Sequence, residues 1–172
     1  MAFFIKIIPL LFSLFFGLPQ AVHAHLIGGQ GLVSGIVHPF LGLDHLLAMV
    51  AVGIISTQIA GRAIWKLPAI FVFFMVAGAL LARGGLAMPS VETGIALSVL
   101  FFGAFIVLFK KISVNWVLIG VAFFAIFHGQ AHGAEIPLIA NPALYATGFV
   151  LSTAALHALG VLIGHYARKT AL

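Results

Sequence analysis

The segment "HPFLGLDH" places His38, Asp44 and His45 inside a run of the chain that is otherwise long and apolar. Imidazole and carboxylate groups are ligands for divalent transition metals such as Ni²⁺, Co²⁺ and Zn²⁺. Pro39 and Gly42 disfavour a regular helix here, and a helix break frees backbone carbonyl groups. At membrane depth such groups are tolerated where they line a cavity or bind an ion. We therefore predict a broken helix that carries part of an ion site.

A second segment, "FHGQAHGAE", contributes His128, His132 and Glu135. At about 100° per residue, these three side chains fall within roughly 60° of one another on a helix. Two histidines four residues apart present both imidazoles to one point, the spacing that metalloprotease helices use to hold zinc. We expect the ionisable side chains of the first segment to meet those of the second, so that the two segments form one site.

The composition requires these segments to be positioned by membrane helices. The chain is 63% hydrophobic and 6% charged, whereas a soluble domain carries about a quarter charged residues. This indicates an all-α, polytopic transmembrane helix bundle with a single domain over residues 25–172. Cysteine is absent, which excludes disulfides, thiolate metal sites and cysteine nucleophiles. Neither a P-loop nor a cytosolic domain for nucleotide binding is recognisable.

The N-terminal residues 1–24 have the features of a secretory signal peptide. Lys6 precedes an apolar run to Leu18, and "VHA" offers a small-x-small cleavage site after Ala24. Cleavage would leave five helices and begin the mature chain at His25, whose amine and imidazole could chelate an incoming ion. The alternative is an uncleaved first helix, because the run is long and very apolar, and the bundle would then have six.

Five later segments are each apolar over about the length that a membrane span needs. They are residues 31–59, 67–82, 91–109, 114–133 and 142–165. Six of the basic residues that flank them fall on one side of the bundle, with Arg83 alone on the other: Arg62, Lys66, Lys110, Lys111, Arg168 and Lys169. The positive-inside rule places that side in the cytoplasm. We expect an inner-membrane protein with a periplasmic mature N-terminus and a cytoplasmic C-terminus. This topology explains the net charge without a nucleic-acid partner.

Among the other ionisable residues, Glu92 lies at the outer start of the third span and His157 in the inner half of the last. Ionisable residues at membrane depth usually face the bundle interior and mark an ion or proton path. Each also has a structural alternative: Glu92 can complement the helix dipole, and His157 can hydrogen-bond another helix. His165 is expected at the membrane interface. The glycine pairs Gly31/Gly35 and Gly160/Gly164 are typical of close helix packing.

Both histidine motifs resemble those of the HupE/UreJ family of bacterial membrane proteins. The resemblance extends to "VETGIALSV" at 91–99 and "GFVLSTAALHALG" at 148–160, and the first motif is also similar to the H-x4-D-H of a separate nickel/cobalt transporter family. Members are regarded as nickel or cobalt permeases, often associated with hydrogenase or urease maturation. Members commonly continue with another hydrophobic segment, which does not follow "HYARKTAL" in this sequence. The resemblance implies functional roles for the following residues: His38, Asp44, His45, His128, His132 and Glu135.

We predict a permease for Ni²⁺ or Co²⁺, with Zn²⁺ also compatible with the donor set, and no prosthetic group. The metal positions are the six residues above, with Glu92, His157 and His25 as outlying members. The alternative is a membrane metal-binding accessory of hydrogenase or urease maturation. Haem between transmembrane histidines is disfavoured by the neighbouring carboxylates. An intramembrane hydrolase is disfavoured because no H-E-x-x-H or protease motif is present. Lipid surrounds the bundle, and a homo-oligomer is compatible with it.

Overall fold

The computed structural model describes residues 31–59, 64–108, 112–135 and 141–170, without the side chains of Glu135 and Thr170. The predicted signal peptide 1–24, His25, Arg62, Lys110 and Lys111 lie outside those residues. The described part is built from helices, which confirms the all-α prediction. Their bounds are α1 Leu32–Leu41, α2 Leu43–Ile59, α3 Lys66–Arg83, α4 Val91–Leu108, α5 Val114–Glu135 and α6 Pro142–Thr170.

The first predicted span is broken between α1 and α2, which meet at an angle of 88°. Gly42 stands at the break with φ −100° and ψ 113°, an extended conformation that interrupts the helix. Pro39 lies buried inside α1 and has no N–H to donate to the preceding turn. The break predicted from Pro39 and Gly42 is therefore confirmed, and it makes α1 and α2 nearly perpendicular.

Helices α3, α4, α5 and α6 are each long and apolar enough to cross a membrane, and α1 and α2 together form a bent candidate span. Large apolar side chains cover their outer faces, including Phe73, Leu80 and Leu162, each about two thirds exposed. Because such a surface is stable only in contact with lipid, the chain is a helical membrane protein. Trp65 and Trp116 are exposed near the first turns of α3 and α5, as expected for interfacial aromatic residues.

Helices α2 and α6 pack with their backbones in contact. A Cβ at Gly53 would collide with the carbonyl oxygen of His157, and one at Gly160 would collide with that of Val50. Only glycine allows this separation, which brings many atoms of both helices within dispersion range. The predicted packing role of Gly160 is confirmed.

The two ends of α6 are also fixed by contacts with other helices. Near its start, a Cβ at Gly148 would collide with the carbonyl oxygen of Leu32 in α1. Near its end, Arg168 donates a hydrogen bond to the carbonyl oxygen of Thr57 in the last turn of α2. The second contact places a cation at a helix C-terminus, where it is favourable. Helices α2 and α6 therefore run parallel.

Helices α3 and α5 form a second glycine-packed pair. A Cβ at Gly78 would collide with the carbonyl oxygen of Ile126, and one at Gly129 with that of Met75. Gly129 directly follows His128. The close approach of α3 therefore fixes both the position of this part of α5 along its axis and its rotation about that axis. Helix α4 packs against α2 and α5 and closes the bundle between the two pairs.

Beyond the histidine motifs, toward the C-terminal end of α2, apolar side chains from α2, α4 and α5 pack together. Val52, Ile55, Phe102 and Val121 are all fully buried in one hydrophobic cluster. Dense apolar packing excludes water and ions. The apolar cluster therefore separates the histidine motifs from the opposite end of these three helices.

Candidate metal centre

Four histidines from three helices come together where α1 ends, α2 begins and α5 approaches its end. The ring centroids are 4.6 Å apart for His45 and His132, 4.8 Å for His45 and His128, and 5.0 Å for His38 and His132. His128 and His132 are at most 3% exposed. We call these four residues the imidazole cluster. The structure thus brings the two predicted motifs together.

The Asp44 side chain is hydrogen-bonded to His45. One of its carboxylate oxygens, Oδ1, accepts hydrogen bonds from the backbone N–H of His45 at 2.8 Å and from the ring Nδ1 of His45 at 2.9 Å. An ionised carboxylate only accepts hydrogen bonds, so Nδ1 carries the hydrogen and Nε2 keeps its lone pair. This carboxylate–histidine arrangement orients many metal-binding histidines.

Gly42 makes room for the Asp44–His45 pair. A Cβ at position 42 would lie 3.0 Å from both Asp44 Oδ1 and His45 Nδ1, closer than ordinary van der Waals contact. The glycine therefore serves two purposes: it interrupts the helix, and it leaves space for the hydrogen bond that orients His45.

Several imidazole nitrogens in the cluster are buried without a hydrogen-bond partner among the residues that the structure describes. They are His45 Nε2, His128 Nδ1 and both ring nitrogens of His132. A buried polar atom without a partner costs about 1–3 kcal/mol, so such atoms indicate a site that a ligand or water completes. A divalent cation would accept electron pairs from these nitrogens.

The rings are packed edge to face rather than around one central point. Their planes are inclined by 60° to 85° in the three close pairs. Within the described ranges, no three histidine, aspartate or glutamate side chains are already arranged as a set that could hold a metal ion. Coordination by more than two of these residues therefore requires the rings to rotate from their present positions.

Aromatic side chains of α6 form one wall of the cluster. The Phe149 ring lies 4.0 Å from that of His132 and 5.9 Å from that of His38, and the Tyr145 ring lies 5.8 Å from that of His38. Neither residue was identified from the sequence. Their spacing of four residues on one helix face was the available signal, but it is also typical of ordinary packing.

His157 occupies a second buried position, separated from the cluster by an aromatic ring. Phe71 of α3 contacts both His128, at a centroid distance of 5.5 Å, and His157, at 5.2 Å. Both ring nitrogens of His157 and the Thr153 hydroxyl are buried without a hydrogen-bond partner in the described part of the chain. Thr153 and His157 are four residues apart, so they share a face of α6. This position could hold a polar occupant.

Gln130 lies between His128 and His132 in the motif but has a structural role. Its side-chain nitrogen donates to the carbonyl of Leu86 at 2.9 Å, and its side-chain oxygen accepts from the N–H of Met88 at 3.1 Å. Both bonds hold the loop between α3 and α4 against α5.

Three of the predicted metal positions have no described contact with the cluster. Glu92 is exposed in the first turn of α4 and forms no hydrogen bond or ion pair with another residue that the structure describes. Glu135 is the last residue of α5, with its side chain outside the description, and His25 lies outside it altogether. These three residues stay predictions.

Comparison with known proteins gives a consistent result. A family model described as "HupE / UreJ protein" matches residues 11–172. The curated "Protein HupE" of Rhizobium leguminosarum bv. viciae is 43% identical over 145 residues, which cover 84% of this chain and 76% of that protein. No solved structure matches significantly.

Proposed function

The chain belongs to the HupE/UreJ family, and on that basis we propose that it is a permease for Ni²⁺ or Co²⁺ in the bacterial inner membrane. The observation that carries the proposal is the imidazole cluster, in which four buried ring nitrogens have no hydrogen-bond partner among the described residues while a carboxylate orients one ring. Nitrogen and oxygen donors without sulfur suit Ni²⁺, Co²⁺ or Zn²⁺ and disfavour Cu(I). The family resemblance favours the first two.

The proposed path runs from the periplasm to the cytoplasm through the bundle. The ion would enter past His25, Glu92 and Glu135, bind in the imidazole cluster, and leave past His157. The fully buried Phe71 ring stands between the last two positions, so its displacement would be needed for passage. The orientation rests on the cytoplasmic placement of Arg168 and Lys169 by the positive-inside rule. A link to hydrogenase or urease maturation is part of the proposal.

Asp44 acts in this proposal through His45, as an orienting residue. We expect Asp44→Asn to weaken Ni²⁺ binding about 10- to 100-fold, the usual effect of changing a partner that orients a metal-binding histidine, because a neutral amide oxygen is a weaker acceptor than a carboxylate. The measurement is a Ni²⁺ titration of the purified protein. Ser56→Ala is the matched control, because Ser56 is a buried polar residue of the same helix whose hydroxyl bonds, within the described part of the chain, the carbonyl of Gly53 and no histidine. Equal Kd values for Asp44→Asn and wild type would contradict the role of Asp44.

Transport itself is tested with purified protein in vesicles that contain a metal-sensitive dye. A potential of 100 mV, negative inside, favours a dication by about 4.6 kcal/mol, which corresponds to accumulation on the order of 10³-fold. We expect Ni²⁺ or Co²⁺ to enter these vesicles much faster than vesicles without protein, and Mg²⁺ to enter equally slowly in both. Binding of Ni²⁺ without entry, with or without an imposed pH gradient, would instead support the metal-binding accessory.

A further inference from the structure

Ser98 of α4 connects the imidazole cluster to a helix that carries none of its members. Its hydroxyl oxygen lies 2.9 Å from Nε2 of His128 and 2.6 Å from the backbone carbonyl oxygen of Ile95. Ser98 and His128 are both fully buried. The other ring nitrogen of His128, Nδ1, has no hydrogen-bond partner among the described residues.

The position of the single hydroxyl hydrogen follows from these two distances. A carbonyl oxygen accepts hydrogen bonds but cannot donate them. Two oxygens 2.6 Å apart repel each other unless a hydrogen lies between them, and this separation is within the range of an O–H···O bond. The Ser98 hydroxyl therefore donates to the carbonyl of Ile95. Toward His128 it can only accept, so Nε2 of His128 carries a hydrogen.

A neutral imidazole has one N–H and one lone pair, so a hydrogen on Nε2 leaves the lone pair on Nδ1. We propose that Ser98 is a positioning residue that holds His128 as the Nε2-protonated tautomer and makes Nδ1 the atom offered to Ni²⁺ or Co²⁺. The identity of the ion rests on the proposed function, whereas the tautomer does not.

His45 has the opposite assignment, although the two rings are neighbours. Asp44 holds the hydrogen of His45 on Nδ1, so the lone pair lies on Nε2. A carboxylate on α2 thus places the hydrogen of His45 on Nδ1, whereas a hydroxyl on α4 places that of His128 on Nε2. Conversion to the other tautomer would cost His45 its hydrogen bond to Asp44, and at His128 it would cost Ser98 either its bond to the ring or its bond to the Ile95 carbonyl. In both rings it would present an N–H where the metal needs an electron pair.

The tautomer can be measured in the metal-free wild-type protein. Nitrogen NMR of ¹⁵N-histidine-labelled protein in lipid distinguishes the protonated from the unprotonated ring nitrogen. The His128 signals are identified as the pair that is missing from His128→Gln. We expect Nε2 protonated and Nδ1 unprotonated. Observation of Nδ1–H at His128 would overturn the inference and leave the proposed permease untouched.

Variants test whether Ser98 is the cause. Ser98→Ala is expected to give a mixture of both His128 tautomers and to raise the Kd for Ni²⁺ about 10- to 100-fold. The matched control is Ser56→Ala, because Ser56 is equally buried and donates a similar bond, 2.7 Å to the carbonyl of Gly53, with no hydrogen bond to a histidine among the described residues. We expect it to leave the tautomer unchanged and the Kd within about twofold.

The outcomes separate the two proposals. An unchanged His128 tautomer in folded Ser98→Ala would refute the role of Ser98, whatever happens to the Kd. Equal weakening by Ser98→Ala and Ser56→Ala, with no tautomer change in either, would also refute it, because both would then act through packing. Failure of the vesicle transport assay would refute the permease and leave the tautomer measurement valid.

Discussion

Replacing His132 with glutamine is expected to reduce Ni²⁺ uptake by at least about 100-fold, to the level of cells without the protein. His132 contacts both His38 and His45, and both of its ring nitrogens are buried without a partner in the described part of the chain. It is therefore the member that joins the two halves of the broken span to α5. Glutamine approximates the volume of histidine, so the variant removes the imidazole without leaving a large cavity.

The matched control for this measurement is His165→Gln. His165 is exposed near the end of α6 and belongs to none of the proposed metal positions, so the same chemical change there should leave uptake within about twofold of wild type. Uptake is measured with radioactive Ni²⁺ at equal membrane abundance of each variant. Wild-type uptake by His132→Gln would contradict the proposed path through the imidazole cluster.

Replacing Gly160 with alanine is expected to destabilise the bundle by about 3 kcal/mol, the upper part of the usual range for overpacking. The added methyl group would overlap the carbonyl oxygen of Val50 and lie 3.0 Å from the Cα of Gly53. Backbone atoms cannot move aside as a flexible side chain can, so α2 and α6 must separate. Unfolding in increasing concentrations of SDS, followed by circular dichroism, measures the change.

Gly103→Ala is the corresponding control within a membrane helix. A Cβ at Gly103 meets nothing within 4 Å, and alanine is the better helix former by about 1 kcal/mol. We expect this variant to be as stable as wild type or slightly more stable. If Gly160→Ala and Gly103→Ala unfolded at the same SDS concentration, the conclusion that α2 packs tightly on α6 would be wrong.

The sequence was sufficient to predict the helical class, the helix break and the pairing of the two motifs. These depend on strong local signals: long apolar runs, a proline and a glycine near three ionisable residues, and histidines four residues apart. Helix ends were less accurate, because apolar residues do not mark them. Helix α6 continues to Thr170 and α5 to Glu135, beyond the predicted limits of 165 and 133.

The contacts that the motif residues make could not be predicted, for two different reasons. Ser98 is thirty residues from His128 and Phe71 belongs to another helix, so no spacing rule connects either to the motifs. Only the packing angles of α3 and α4 bring them there. Asp44, in contrast, was identified as a ligand from its residue type. Its hydrogen bond to the adjacent His45 depends on a side-chain rotamer, which sequence does not specify.

The glycine contacts divide the bundle into two parts that share the imidazole cluster. His38 and His45 belong to the part in which α1 and α2 pack on α6, and His128 and His132 to the part in which α5 packs on α3. Rocking of one part against the other would separate His45 from His128 without opening any glycine contact. A bound cation would therefore add a removable cross-link between two parts that are otherwise joined by the apolar cluster of α2, α4 and α5.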